Sequence, residues 1–254
     1  MERKNNNKGR FMATLWLMGM FPLFVMAMIA IAAQQIFGIV VGRVYHSILK
    51  QLNKHYYYYA WLESDLSDCE SILELGCGDH SPLLAIGYGH KTDSIDIWRP
   101  YIEKHNKAGD YRKCWEADIC NMEWPEAKSY DAVVIFDVME HLPKQVAENN
   151  DYLFKNMERC ARKKVICFTP NGFVENDEVD GDPWQAHLSA WEPDDYKKRG
   201  YKVLGGTGLR WLFGKASLPR KPEILFYALG MLTQPLIYHF PDLAWHSYAV
   251  KDVE

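Results

Sequence analysis

Ile72-Leu73-Glu74-Leu75-Gly76-Cys77-Gly78-Asp79 is an apolar run of strand length that ends in a glycine turn. Such a run reads as a buried strand feeding a tight turn. Two glycines there let the backbone bend sharply and let a ligand approach where a Cβ would collide. Counted from Gly76, a dinucleotide G-x-G-x-x-G pattern needs a last glycine where Ser81 stands, so a pyrophosphate cradle is disfavoured. By themselves the two glycines are equally compatible with an ordinary turn.

The flanking sequence extends the pattern. Residues 94–97 read as the next strand and carry Asp96, 20 positions after Gly76; an acid at a strand's carboxyl end can accept hydrogen bonds from a ribose. A third acid, Asp118 in Ala117-Asp118-Ile119, follows the strand expected at 114–117. It suits an adenine amino group, or equally a helix N-cap. A fourth strand, 132–136, runs into Asp137 and then Val138-Met139-Glu140-His141-Leu142-Pro143, which places Asp137 and His141 toward the same crevice. With a fifth strand at 164–168 and helix-like stretches at 100–108 and 144–162, the chain has the β-α-β rhythm of a parallel sheet. Later come a helix at 193–199 and strands at 201–204 and 244–250.

These residues resemble those of the class I S-adenosylmethionine methyltransferases, in particular the branch related to quinone and small-molecule methyltransferases. The resemblance spans about residues 68–205 and rests on E-L-G-C-G, the Asp96 strand end, A-D-I and F-D-V-M-E-H-L. It implies an α/β, Rossmann-like, doubly wound and mostly parallel seven-stranded sheet whose last strand is antiparallel. It also implies S-adenosylmethionine as cofactor: Glu74, Gly76 and Gly78 along the methionine part, Asp96 on the ribose, Asp118 with Ile119 at the adenine, and Asp137 at the methionine end. The family's glycine turn commonly has a third glycine where this chain has His80.

A sulfonium methyl is already an activated electrophile, so the protein has mainly to align donor and acceptor and exclude water. For a hydroxyl acceptor a general base would help. His141 is the first candidate and His187 the second; the competing readings are a histidine that braces the following helix and a surface-loop histidine. Glu140 and His141 adjoin, but neighbours on a helix point about 100° apart, so no metal site is expected there. In the acidic loop Asn176, Glu178, Asp180 and Gly181 fall at calcium-loop positions, but His187 stands where the bidentate Glu is needed; a solvated loop is expected.

Composition bounds the rest. The 254 residues are 48% hydrophobic and 24% charged, as in a globular chain, and a net charge of -4 with no long basic run argues against nucleic acid as partner. The six cysteines form no C-x-x-C pair and read as reduced thiols. Residues 11–33 are 23 in number and uncharged, long enough to cross a hydrocarbon layer of about 30 Å. Residues 1–42 are therefore expected to be membrane-associated. The rival is a cleavable signal peptide, with Arg3, Lys4, Lys8 and Arg10 ahead of Ala30-Ile31-Ala32, but the apolar run exceeds the usual h-region and export would separate the domain from an intracellular cofactor.

The positive-inside rule keeps the basic N-terminus inside, and one crossing would then put the domain outside. Gly19 and Pro22 could break the helix into a re-entrant or interfacial pair, and Arg43, Lys50 and Lys54 favour the inner face. The expected location is a membrane with the catalytic domain facing the cytoplasm, and the topology stays open.

Residues 43–70 read as a helical linker whose run Tyr56-Tyr57-Tyr58-Tyr59 and Trp61 suits a membrane interface or packing against the domain equally. The domain then occupies 71–254, with an apolar insertion at 222–241. Gly230 and Pro235 punctuate that insertion, so a pair of short helices is expected, covering the site, dipping into the membrane or packing on the sheet. The function expected is methyl transfer to a small or lipid-linked acceptor. A nicotinamide-dependent oxidoreductase and a non-catalytic cofactor-binding scaffold are the alternatives.

Overall fold

The computed structural model describes residues 57–145, 149–176, 181–214 and 220–253. The membrane segment expected within 1–42 lies outside the described residues. Among those described, no helix is long and apolar enough to cross a membrane.

Every residue of β1 (Ile72–Leu75), β2 (Thr92–Asp96) and β4 (Tyr130–Phe136) is buried. That is why their sequences run apolar rather than alternate, since helices cover both faces of a parallel sheet. With β3 (Lys113–Glu116), β5 (Ala161–Pro170), β6 (Lys202–Leu209) and β7 (Ala244–Asp252) they form one sheet in the order β3-β2-β1-β4-β5-β7-β6. Strands β1 to β5 pair in parallel, and β7 runs antiparallel to both of its neighbours. The seven-stranded, mostly parallel sheet with an antiparallel last strand is therefore present. The strand order reverses between β1 and β4, and ligands of such sheets sit at the carboxyl ends of the strands flanking that point.

The period-2 geometry of a strand divides the core between two faces. Leu73, Leu75, Val133, Ile135, Val165 and Cys167 join one cluster with α4 (Tyr152–Cys160), whereas Ile72, Ala132, Val134, Phe136, Ile166 and Phe168 join the other. The second cluster includes Trp61, Leu62 and Leu66, from and just after α1 (Tyr58–Asp65). The Trp61 ring meets Tyr238 and Tyr248 edge-on, and the Tyr248 hydroxyl donates to Asp65 at 2.8 Å. From α1 onward, the segment read as a linker up to residue 70 thus packs on the sheet. For Tyr58 and Trp61, packing against the domain is what is found.

Two stretches depart most from the sequence reading. The helix read over 144–162 is α4, which ends at Cys160, and β5 begins at Ala161 rather than 164. The basic run Arg162-Lys163-Lys164 looks like a helix end, but here it is strand, and Arg162 pairs with Asp131 at 2.8 Å. The helix read over 193–199 is α5 (Pro193–Lys197), and the insertion at 222–241 forms one helix, α6 (Glu223–Ile237), rather than two. Gly230 does not break it: a Cβ on Gly208 of β6 would lie 2.3 Å from the Gly230 carbonyl oxygen, so this glycine pair brings helix and strand together. Pro235 sits in the last turn, where one lost N–H costs least.

The polar residues of that apolar stretch have work at the sheet's edge. Gln234 donates to the Gly205 carbonyl at 2.8 Å and accepts from the Gly208 N–H at 2.7 Å, while the Thr233 hydroxyl accepts from the Leu209 N–H at 3.1 Å. Helix and side chains thereby cover the open edge of β6, which would otherwise invite pairing with another chain. Gln234→Leu strands two buried backbone groups and is expected to lower the unfolding free energy by roughly 2–4 kcal/mol. Urea denaturation of wild type and variant checks it.

Candidate active site

The turn after β1 is shaped by what surrounds it. Gly76 and Gly78 have φ of +84° and +53°, a region that L side chains seldom adopt. A Cβ on Gly76 would lie 2.3 Å from Val138 Cγ2, and a Cβ on Gly78 would point into open space. One residue therefore presses the turn onto the end of β4, and the other leaves its backbone open to a ligand. The Gly78 carbonyl is held by His105 Nε2 of α3 (Arg99–Ala108) at 2.9 Å, and His105 Nδ1 lies 2.8 Å from Asp110. The sequence reading missed His105, since its partners stand far from it in the turn and in the following loop.

Asp96 ends β2 beside this turn. Its Oδ2 accepts from the Gly78 N–H at 2.9 Å and its Oδ1 from the Trp98 N–H at 2.8 Å. Burial raises its pKa from the usual aspartate value, against the pull of those two N–H groups. Glu74 is fully buried and accepts from Ser81 Oγ and, at 3.1 Å, from Ser94 Oγ. Ser81, the residue that breaks the dinucleotide pattern, thus ties the acid of β1 to the start of α2 (Pro82–Ala85), which it also caps.

Burial pushes the Glu74 carboxyl up to about 7. A carboxyl raised on folding binds more protons folded than unfolded between its two pKa values, so this group makes stability fall as pH climbs from about 4.5 to 7, then level off. Glu74→Gln is expected to remove that slope and to raise the unfolding free energy at pH 8 by about 2–3 kcal/mol. Denaturant titrations at pH 5 and pH 8 read both effects.

Asp118 accepts from the Cys120 N–H at 2.9 Å and from Asn121 Nδ2 at 2.6 Å. It caps a turn, not the helix of the competing reading, and it also lines the cavity with Ile119. Asp137, with φ of +49°, donates its N–H to the Phe168 carbonyl at 2.8 Å and turns its side chain into the cavity. Its side chain is 52% open, yet the enclosing protein displaces bulk water and burial raises the carboxyl to about 7. His246 Nε2 of β7 stands 3.8 Å from Asp137, its Nδ1 lies 2.9 Å from the Thr207 hydroxyl, and its ring stacks on Phe168, which stacks on Tyr58. Burial pulls His246 down to about 3.

The cavity has a volume of about 840 Å³. Glu74, Gly76, Gly78, Asp96, Asp118, Ile119, Asp137 and His141 all line it, together with Tyr58, Trp184 and Leu188. His187 stands just behind, its ring 4.7 Å from that of His141 and nearly perpendicular to it. His141 Nδ1 lies 3.2 Å from the Ala186 carbonyl and His187 Nδ1 2.6 Å from that of Val174. A carbonyl only accepts, so each Nδ1 carries the proton and each Nε2 keeps a free lone pair. Burial holds His141 down to about 4 and lowers His187 as well.

Glu140 is buried, and its Oε2 has no hydrogen-bond partner. Burial, with Asp137 nearby, holds its carboxyl well above the usual range. The adjacency of Glu140 and His141 does not keep them apart as expected. Met139–His141 is a 3₁₀ turn rather than an α-helix, and the 185–189 loop crosses it, so one ligand atom each of Glu140, His141 and His187 fall within 4.8 Å of one another. Two imidazoles and a carboxylate suit a borderline divalent cation such as zinc. The calcium-loop residues Glu178 and Asp180 lie outside the described residues, while the Asn176 amide donates to the Gln185 carbonyl at 3.0 Å.

Residues 73–169 match a family model described as a methyltransferase domain. No curated protein matches the chain. Among solved structures, a protein of Pyrococcus horikoshii is 13% identical, with 83% of this chain and 91% of that one covered and a TM-score of 0.48. A SAM-dependent methyltransferase of Archaeoglobus fulgidus is 16% identical over 80% and 99%, with a TM-score of 0.46. The magnesium protoporphyrin IX methyltransferase of Synechocystis, solved with bound SAM, is 13% identical over 78% and 76%, with a TM-score of 0.44. The matched stretch carries the glycine turn, Asp96, Asp118 and Asp137 together, and residues 73–169 are a methyltransferase domain of the S-adenosylmethionine-dependent kind.

Proposed function

We propose that the protein methylates a small or lipid-linked apolar acceptor held at a membrane, with its catalytic domain on the cytoplasmic side. The observation that carries this reading is one cavity lined at once by the glycine turn, Asp96, Asp118, Asp137 and His141, with the His187 ring 4.7 Å from that of His141. Tyr58, Phe136, Trp184 and Leu188 supply apolar walls, and Trp184 and Leu188 are exposed. The uncharged run 11–33 supports the membrane setting.

The cofactor-binding residues fit their ligand: the open space beyond Gly78 lies beside a carboxylate with lone pairs to spare for a ribose diol. In this reading Asp96 holds the ribose, Asp118 and Ile119 flank the adenine, Glu74 fixes the turn, and Asp137 sets a negative charge at the methionine end. When bound, S-adenosylmethionine supplies an activated methyl that passes directly to the acceptor. The walls hold the acceptor in line and exclude water, a contribution of roughly 7–11 kcal/mol in ideal cases. His141 Nε2 takes the acceptor's proton, and His187 stands beside it as the second imidazole.

Calorimetric titration of the full chain tests the reading. S-adenosylmethionine and S-adenosylhomocysteine are expected to bind and NAD is not; binding of NAD alone would overturn it, and adenosyl binding without turnover on any lipid extract would leave a scaffold.

The partnerless Glu140 Oε2 favours a second reading, in which Glu140, His141 and His187 would hold a divalent cation, and such an ion would supply Lewis acidity toward an acceptor oxygen. Elemental analysis of chain purified without chelator decides between the two. About one equivalent of metal, lost in Glu140→Gln, is expected for a metal site; none in the wild type leaves His141 as the base.

A further inference from the structure

Helix α6 has two apolar faces. Gly230, Gln234 and Ile237 are buried on one side, spaced i, i+4, i+7 and turned to the edge strand. Leu225, Leu232 and Leu236, spaced i, i+7, i+11, form a single stripe on another side and are 53%, 72% and 57% exposed. Phe240, Leu243 and Trp211 are exposed as well; the Trp211 ring meets that of Phe226 on the helix edge-on at 6.4 Å, and Trp211 and Leu243 share a groove with Arg210 and Arg220. No Asp, Glu, Lys or Arg occurs between positions 224 and 240.

We propose that this face lies in the plane of a lipid bilayer, its leucine stripe in the acyl boundary and Arg210 and Arg220 at anionic headgroups. The inference rests on the membrane setting proposed above and assigns it a surface. Three observations choose the bilayer as occupant. At 15 residues α6 is roughly 22 Å long, too short to cross about 30 Å of hydrocarbon, so it docks flat. The stripe offers no side-chain hydrogen-bonding group, whereas protein interfaces carry about one hydrogen bond per 100–200 Å². The charges beside it are arginines, complementary to lipid phosphate, and the one acid in the groove, Asp242, lies 3.5 Å from Lys197.

The test uses the full chain carrying Cys120→Ser, which leaves five buried cysteines. It is reconstituted in vesicles of phosphatidylcholine and phosphatidylglycerol, with an environment-sensitive fluorophore on Leu232→Cys or Leu236→Cys, or on Glu103→Cys of α3 as reference. Blue-shifted emission at 232 and 236, quenching by spin-labelled acyl chains at least threefold stronger than at 103, and loss of iodide quenching are expected. Iodide quenching at 232 equal to that at 103, in chain that floats with the vesicles, overturns this inference alone. Chain that does not float overturns the membrane setting as well. Protection that acyl-chain quenchers do not sense and that grows with protein density assigns the face to a second copy and likewise overturns the proposal.

Discussion

Asp96→Ala is expected to weaken binding of S-adenosylmethionine by about 10²- to 10³-fold. The carboxylate carries two burdens. It accepts the Gly78 and Trp98 N–H groups, which fixes the turn against β2, and it keeps lone pairs for the ribose. Hydrogen bonds to a charged group contribute about 1.5–3 kcal/mol each, so losing two to the ribose accounts for the expected fall without counting the loosened turn. Asp96→Asn keeps one acceptor oxygen and should fall between alanine and wild type. Calorimetry gives the affinities, and circular dichroism confirms that each variant is folded. Unchanged affinity in the alanine variant would mean that the ribose is held elsewhere.

His141→Ala is expected to lower kcat by about 10²- to 10⁴-fold, the range of a general base, while cofactor affinity stays within about threefold of wild type. The separation follows from position: His141 lines the cavity from the 3₁₀ turn after β4, whereas Gly78 and Asp96 come from the turn after β1 and the end of β2 and hydrogen-bond each other. Because burial holds this imidazole down to about 4, it is neutral, and able to take a proton, across the physiological range. Burial raises two cavity carboxyls to about 7, Glu74 and Asp137, and of these Asp137 is the one assigned to the methionine end. Affinity for the positively charged cofactor should therefore rise as pH passes upward through 7 and this carboxylate ionises, and Asp137→Asn should flatten that rise. Loss of both kcat and cofactor binding in His141→Ala would instead make it a structural brace.

Much of the site was legible because its residues lie at the ends of strands buried on both faces. There apolar runs stand out and the acid at or near the end of each run lines the cavity, as with Glu74, Asp96 and Asp137. What escaped the sequence depends on distant segments. His105 reaches back to Gly78 and His246 approaches Asp137 from β7, with no local pattern to mark either, and the tyrosine run that includes Tyr58 gave no sign that Tyr58 would join the same stack from α1. Local rules also misled where tertiary contacts overrode them. Gly230 reads as a helix breaker but serves close approach to Gly208, and Glu140 and His141 read as divergent until a 3₁₀ turn and a crossing loop bring them to His187.

Transfer of tritiated methyl from S-adenosylmethionine to fractionated membrane lipid, catalysed by the full chain, tests the account most directly. It predicts label in the organic-extractable fraction, lost with His141→Ala although the cofactor still binds. Label confined to water-soluble products, or no transfer to any fraction by chain that binds the cofactor, would contradict it.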